Sequence, residues 1–196
     1  MGQYYRIINP VLRETIDPFA LGGAKKAVEQ CGFASPATAL LILLDTSNGR
    51  GGGDFEPSPL AGRWAGDPIL YVGDYGEPGD VPLHVPGGEN PAALYCAASN
   101  PSESGWLDLS PWLRPVMEAS QQVRYVAFDS TCVFRNGKKE IHTFYEAYDL
   151  DKVSTPAKVK ALGKGYRLAK HTTAPPPTRA ERLKQLVIKP AEAQAA

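Results

Sequence analysis

Apolar and polar positions change their period several times along this chain. Residues 2–9, rich in Tyr and Ile, read as a first strand. Pro10 breaks it, and Arg13–Ile16 is the returning strand. Asp17-Pro18 then opens a helix running to about Cys31. Ala20, Ala24, Ala27, Val28 and Cys31 share one of its faces, Lys25, Lys26, Glu29 and Gln30 lie opposite, and Gly32 ends it. Ser35-Pro36 supplies an N-cap and a first helical residue, and Ala37–Leu44 is apolar all round. A helix of that kind belongs in the centre of a fold.

Further on, Ile69–Val72 is a strand bracketed by Gly66-Asp67 and Gly73-Asp74. Residues 76–91 form a Pro/Gly-rich loop, and Ala92–Ala98 fits strand or helix. Leu109-Ser110-Pro111 starts a helix to about Ser120, which Pro115 is expected to shorten or kink. Val123–Phe134 and Lys139–Tyr148 are two long strands, joined at Asn136-Gly137, a strong two-residue turn signal. Pro175-Pro176-Pro177 is a stiff linker. Beyond it Thr178 and Glu181 have capping-box spacing, a helix follows over Arg179–Ile188, and Pro190 stops it. The order predicts an α+β fold rather than a βαβ series. It has a mixed or antiparallel sheet, two or three helices and a C-terminal β-hairpin, followed by a basic extended tail.

Composition narrows the class. With 196 residues, 43% apolar, the chain has enough material for one domain, or one domain plus a tail. Gly 19 and Pro 18 mean many turns, yet fall short of the roughly 25–30% of low-complexity chains. The longest apolar run, Ala39–Leu44, is far below the ~20 residues of a membrane span, and the N-terminal residues carry no apolar leader. Cys31, Cys96 and Cys132 are odd in number and widely spaced, unlike a disulfide framework. The expectation is a soluble, cytoplasmic chain with reduced thiols and no membrane partner.

Charge changes the picture more. The formal net charge is +0, but residues 1–151 carry 11 basic and 19 acidic side chains, a net of −8. Residues 152–196 carry 10 basic and 2 acidic, a net of +8. The division suggests an acidic body over 1–151, a basic tail and linker over 152–177, and a short amphipathic helix with the terminus over 178–196. Such a tail folds back on its own body, reaches a neighbouring copy, or binds an external polyanion.

The candidate chemistry is sparse. In the loop Asn48–Asp54 the backbone amides of Gly51, Gly52 and Gly53 can form an anion nest with Arg50, and Asp54 or Asp67 is the candidate acid or base. The loop lacks the Lys-Ser/Thr ending of a P-loop and follows a predicted helix, not a strand. Asp67, Asp74 and Asp80 read as turn residues, not a cation loop. A two-residue turn pairs Cys132 with Ile141 and Thr131 with His142. Cys132 then lies on the apolar face with Phe128, Phe134, Ile141 and Tyr145, away from His142. No His/Cys spacing suits a structural zinc, and no cofactor is implied. Trp64 is expected in the core. In the basic segment, Lys158, Lys160, Lys164, Arg167 and Lys170 could follow a phosphate backbone without reading sequence. Leu183, Leu186 and Val187 give the last helix an apolar stripe suited to a groove.

Gly2-Gln3-Tyr4-Tyr5, Asp17-Pro18, Ser47-Asn48-Gly49-Arg50-Gly51-Gly52-Gly53-Asp54, Gly62-Arg63-Trp64-Ala65-Gly66-Asp67 and Gly73-Asp74-Tyr75 occur in this order. That series, over residues 1–75, resembles a group of small bacterial and phage-type proteins. The resemblance brings neither an activity nor site residues. Two functions remain open on the sequence. One is a non-enzymatic interaction or assembly protein, such as a phage particle or accessory component. Its basic tail binds a neighbouring copy, a protein partner or nucleic acid. The other is an enzyme or sensor that holds a nucleotide or phosphorylated small molecule at residues 48–54.

Overall fold

The computed structural model describes residues 2–47, 55, 57–133 and 137–188. Two sheets carry the α+β architecture. The first is mixed, with strands β1 (Tyr5–Asn9), β2 (Glu14–Ile16), β3 (Leu70–Gly73) and β4 (Leu107–Asp108) in the order β3-β1-β2-β4. β1 is antiparallel to β2 and β3, while β2 and β4 run parallel. The second is antiparallel, with β5 (Val123–Val133), β6 (Lys139–Asp149) and β7 (Arg167–Leu168) in the order β6-β5-β7.

Both sheets are buried on both faces where they meet the rest of the chain, because successive strand residues point to opposite sides. In β1, Ile7 joins the main core with Leu12, Ile16, Leu43, Trp64, Leu113 and Met117. Its neighbour Ile8 joins a second cluster with Val72, Tyr95, Ala98 and Trp106. In β5, Tyr125 faces the main core, and Val126 faces a third cluster with Val153 and Val159.

Helices α1 (Pro36–Leu44), α2 (Pro91–Ser99), α3 (Pro101–Ser104) and α4 (Ser110–Gln121) precede the second sheet. α5 (Leu150–Val153), α6 (Pro156–Ala161) and α7 (Arg179–Ile188) follow it. Ala92–Ala98, open between strand and helix, is α2, capped by Asn90 Oδ1 accepting from Ala93 N at 3.0 Å. Pro115 neither shortens nor splits α4, which continues to Gln121.

Four expectations are corrected. The helix over Asp17–Cys31 is two short 3-10 turns, Pro18–Leu21 and Ala27–Gln30. Gly22-Gly23 divides them: Gly22 takes φ +71°, and a Cβ on Gly23 would lie 2.9 Å from Pro36 Cδ. α1 is not central. Ala39 and Leu43 are fully buried, but Leu41 is 67% exposed.

The β5–β6 register differs by one residue from a two-residue turn. Thr131 faces Ile141, and Cys132 faces Glu140. One residue of slip turns every side chain of one strand over. Cys132 therefore shares a face with His142 and Phe144, and Ile141 and Tyr145 lie on the other. The expected positions of Phe134 and Asn136 lie outside the described residues. Finally, residues 150–168 are not an extended tail. They fold as α5, α6 and β7 against the second sheet, with Val153 and Val159 buried.

Candidate interaction surface of the C-terminal segment

The site begins with a buried carboxylate. Glu14 on β2 is fully buried and accepts from Arg63 Nη2 at 2.6 Å, Arg63 Nε at 2.9 Å and Trp64 Nε1 at 2.8 Å. A buried charge is tolerable only when paired and hydrogen-bonded, as here. Trp64 is thus a core residue. Arg63 has donors to spare, and its Nη1 donates to Pro177 O at 2.8 Å. This bond ties the proline linker to the body.

The rest of the segment is held in the same manner. Trp112 Nε1 donates to Ala174 O at 2.6 Å, and Arg114 Nη2 to Lys170 O at 3.0 Å. His171 Nε2 lies 2.9 Å from Glu118 Oε2. α7 starts as its sequence dictates: Thr178 N donates to Glu181 Oε2 at 2.7 Å and Glu181 N to Thr178 Oγ1 at 3.2 Å. Its first turn is fixed to the body by two arginines. Arg179 forks onto Asp67, at 2.5 and 2.7 Å. Arg182, itself buried, donates to three backbone carbonyls: Leu12 O at 2.9 Å, Arg13 O at 2.8 Å and Gly105 O at 2.7 Å.

Asp67 is placed far from acid–base work. Burial alone would raise its pKa, but hydrogen bonds from Arg179 and Asn9, with the Arg179 charge, hold it below the ordinary carboxylate range. It stays ionised as a structural anchor. Its expected companions Arg50, Gly51, Gly52, Gly53 and Asp54 lie outside the described residues. Asp74 and Asp80 act in turns, accepting from Tyr4 N and Glu77 N, each at 2.9 Å.

Residues 152–180 contain no acidic side chain; Lys152 pairs with Asp149 at 3.1 Å, and beyond it the arginines and lysines differ in their partners. The arginines, with those of α7, turn to the body: Arg167 pairs with Asp129 at 3.0 Å, Arg179 with Asp67, and Arg182 with carbonyls. The lysines turn to solvent. Lys158, Lys160, Lys164 and Lys170 are all exposed. α6 explains the direction for two of them, since it buries Val159 and leaves Lys158 and Lys160 outside. Lys158 Nζ donates to Asp151 O and to Ser154 Oγ, and it meets no carboxylate among the described residues. Among the described residues, neither Lys160 nor Lys164 meets a carboxylate. The planar fork of Arg suits fixed acceptors, and the compact ammonium of Lys suits water and phosphate.

The apolar stripe of α7 is only partly covered among the described residues. Leu183 is 38% and Val187 77% exposed, Leu186 is half-buried, and none belongs to a core cluster. The sequence reading missed Glu14, Arg63, Trp112 and Glu118 as the receptor for this segment. Their spacing in the sequence marks no such role, because the groups they hold in the segment include the backbone carbonyls of Ala174 and Pro177. Among the described residues no group of His, Cys, Asp and Glu is arranged to hold a metal ion. No described helix is long and apolar enough to cross a membrane. No protein family, curated protein or solved structure matches the chain.

Proposed function

We propose that this chain is a non-enzymatic interaction or assembly protein whose folded basic segment, residues 152–170, offers a lysine surface to a polyanion, nucleic acid above all. A phage particle or accessory component fits that class. One observation carries the reading: the arginines of residues 152–182 are engaged with the body, while Lys158, Lys160, Lys164 and Lys170 are exposed and meet no carboxylate among the described residues. Lysines held by folded α6 and the turn before β7 lose little freedom on binding, so their charges act together. Such contacts follow phosphates and do not read bases. The engagement of Asp67 by Arg179 weighs against the alternative of an acid–base catalyst beside residues 48–54.

The test is binding of a short DNA duplex and a single strand across a salt series. Lys158→Gln, Lys160→Gln and Lys164→Gln together are expected to weaken binding at least about tenfold. They should reduce the slope of log K against log salt by about 2 to 3, near one counterion per lost phosphate contact. All three positions are exposed, so the fold is kept. No binding by the unchanged chain at low salt, or equal binding by the variant, overturns the proposal.

A further inference from the structure

A row of aromatic rings crosses the second sheet beside the lysine surface. Phe144 of β6 stands directly opposite Phe128 of β5. Tyr166 precedes β7, whose Arg167 faces Ala127, so its ring falls next to Phe128 on the other side. The ring centroids are 5.4 Å apart for Phe128 and Phe144, and 5.3 Å for Phe128 and Tyr166. By the alternation of strand residues, Phe128 and Phe144 lie on the face that carries Val126, where Val153 and Val159 form the third apolar cluster. Tyr166 packs at the margin of that cluster, but Phe128 and Phe144 belong to no core cluster. β7 pairs with Val126 and Ala127 only, so the hairpin runs past the folded segment from Phe128 outwards. All three rings are half-buried, not sealed.

We propose that the polyanion met by the lysines is a single-stranded nucleic acid, whose bases stack on Phe144, Phe128 and Tyr166 while Lys160 and Lys164 hold its phosphates. Base stacking at this row deepens the proposed function and rests on it. The chain itself joins the two surfaces. Lys164 is two residues before Tyr166, and Lys160 follows Val159, which shares a cluster with Tyr166. The backbone between lysine and ring is open, since a Cβ added at Gly165 would meet nothing within 4 Å. The two carboxylates on this face have partners of their own: Tyr148 donates to Glu146, and Glu140 Oε2 lies 3.7 Å from His142 Nε2. A duplex hides its base faces within its own stack and offers only phosphates here. An unpaired strand offers phosphates and π faces together. Every base has such a face, so the contact tolerates any sequence, as the lysines do.

The experiment measures binding of oligothymidine, and of a DNA duplex of equal length, to the full chain at low salt. Two variants accompany it. Phe128→Leu with Phe144→Leu keeps apolar bulk and removes the rings, and Phe128→Tyr with Phe144→Tyr keeps the rings. The unchanged chain is expected to bind the single strand at least about tenfold more tightly than the duplex. The leucine variant should lose that preference while its duplex affinity, and the salt dependence of that affinity, stay unchanged. Unchanged duplex binding shows that the fold and the lysines are intact. The tyrosine variant should keep the preference. Equal binding of strand and duplex by the unchanged chain overturns base stacking at this row. So does a leucine variant that keeps the preference or loses both ligands alike, or a tyrosine variant that loses the preference. The lysine triple variant tells the two proposals apart: it should weaken both ligands, whereas the leucine variant weakens the strand alone. Strand and duplex bound equally, and both lost with the lysines, would leave the lysine surface standing and strike out the rings.

Discussion

At the scale of single residues the molecule turns on Glu14. It is one carboxylate, fully buried, with Arg63 forked onto it and the Trp64 indole on its second oxygen. Arg63 is buried too, its side chain 3% exposed against 0% for Glu14. Arg182 also feels the Glu14 charge, which partly offsets the effect of burial on that guanidinium. Replacing one member of such a pair does more than delete an attraction. It leaves the other charge buried without compensation, at a cost of about 3–5 kcal/mol. Glu14→Gln keeps the shape and an acceptor for Trp64, so its effect isolates the charge. The expected outcome is a loss of that size in urea unfolding, seen as a lower midpoint at unchanged slope. A loss below about 1 kcal/mol would mean that water reaches Arg63 and that the pair is only a surface contact.

At the scale of elements, α7 shows what holds the segment. Three neutral carbonyls from two separate stretches of backbone converge on the Arg182 guanidinium. Only a planar fork with several donors reaches all three, so Arg182→Lys should behave almost like Arg182→Ala. In both variants hydrogen exchange should speed up through α7 while Val123–Val126 stays protected, since local opening does not require global unfolding. If Arg182→Lys keeps native protection, a point charge suffices and the fork is incidental.

The start of α7 was legible in the sequence, because a capping box is a local signal within four residues. β1, β2, β3 and α4 were legible for the same reason, through period and punctuation. The two 3-10 turns were misread because helical period outweighed Gly22-Gly23, whose cost appears only when Pro36 packs nearby. The β5–β6 register failed because it depends on the length of the connection, and a single residue decides it. Docking of the C-terminal segment was legible as one of three outcomes of its charge. Its actual anchors were not, since carbonyl acceptors exist at every residue.

At the scale of the whole molecule, the division of charge has two consequences that salt separates. The segment is fixed through buried or neutral partners: Arg182 on three carbonyls, and Pro177 O on the body's Arg63, which is itself paired with buried Glu14. Mobile ions screen charges across water, with a Debye length of about 10 Å at 0.1 M and about 3 Å at 1 M. They do little to pairs from which water is already excluded. The lysines are in the opposite position. Their charges stand in solvent, and any phosphate contact they make returns its gain when counterions become plentiful. Raising salt from about 0.05 to 1 M should therefore abolish DNA binding while the amides of α7 keep their hydrogen-exchange protection. Suppose protection of α7 is lost together with DNA binding. The segment would then be held by long-range attraction between a +8 part and a −8 part, and the buried network would be a bystander. Suppose instead that α7 stays protected and DNA binding falls. The same run of basic residues then does two jobs, with arginine turned inward to fix the segment and lysine outward to meet a partner.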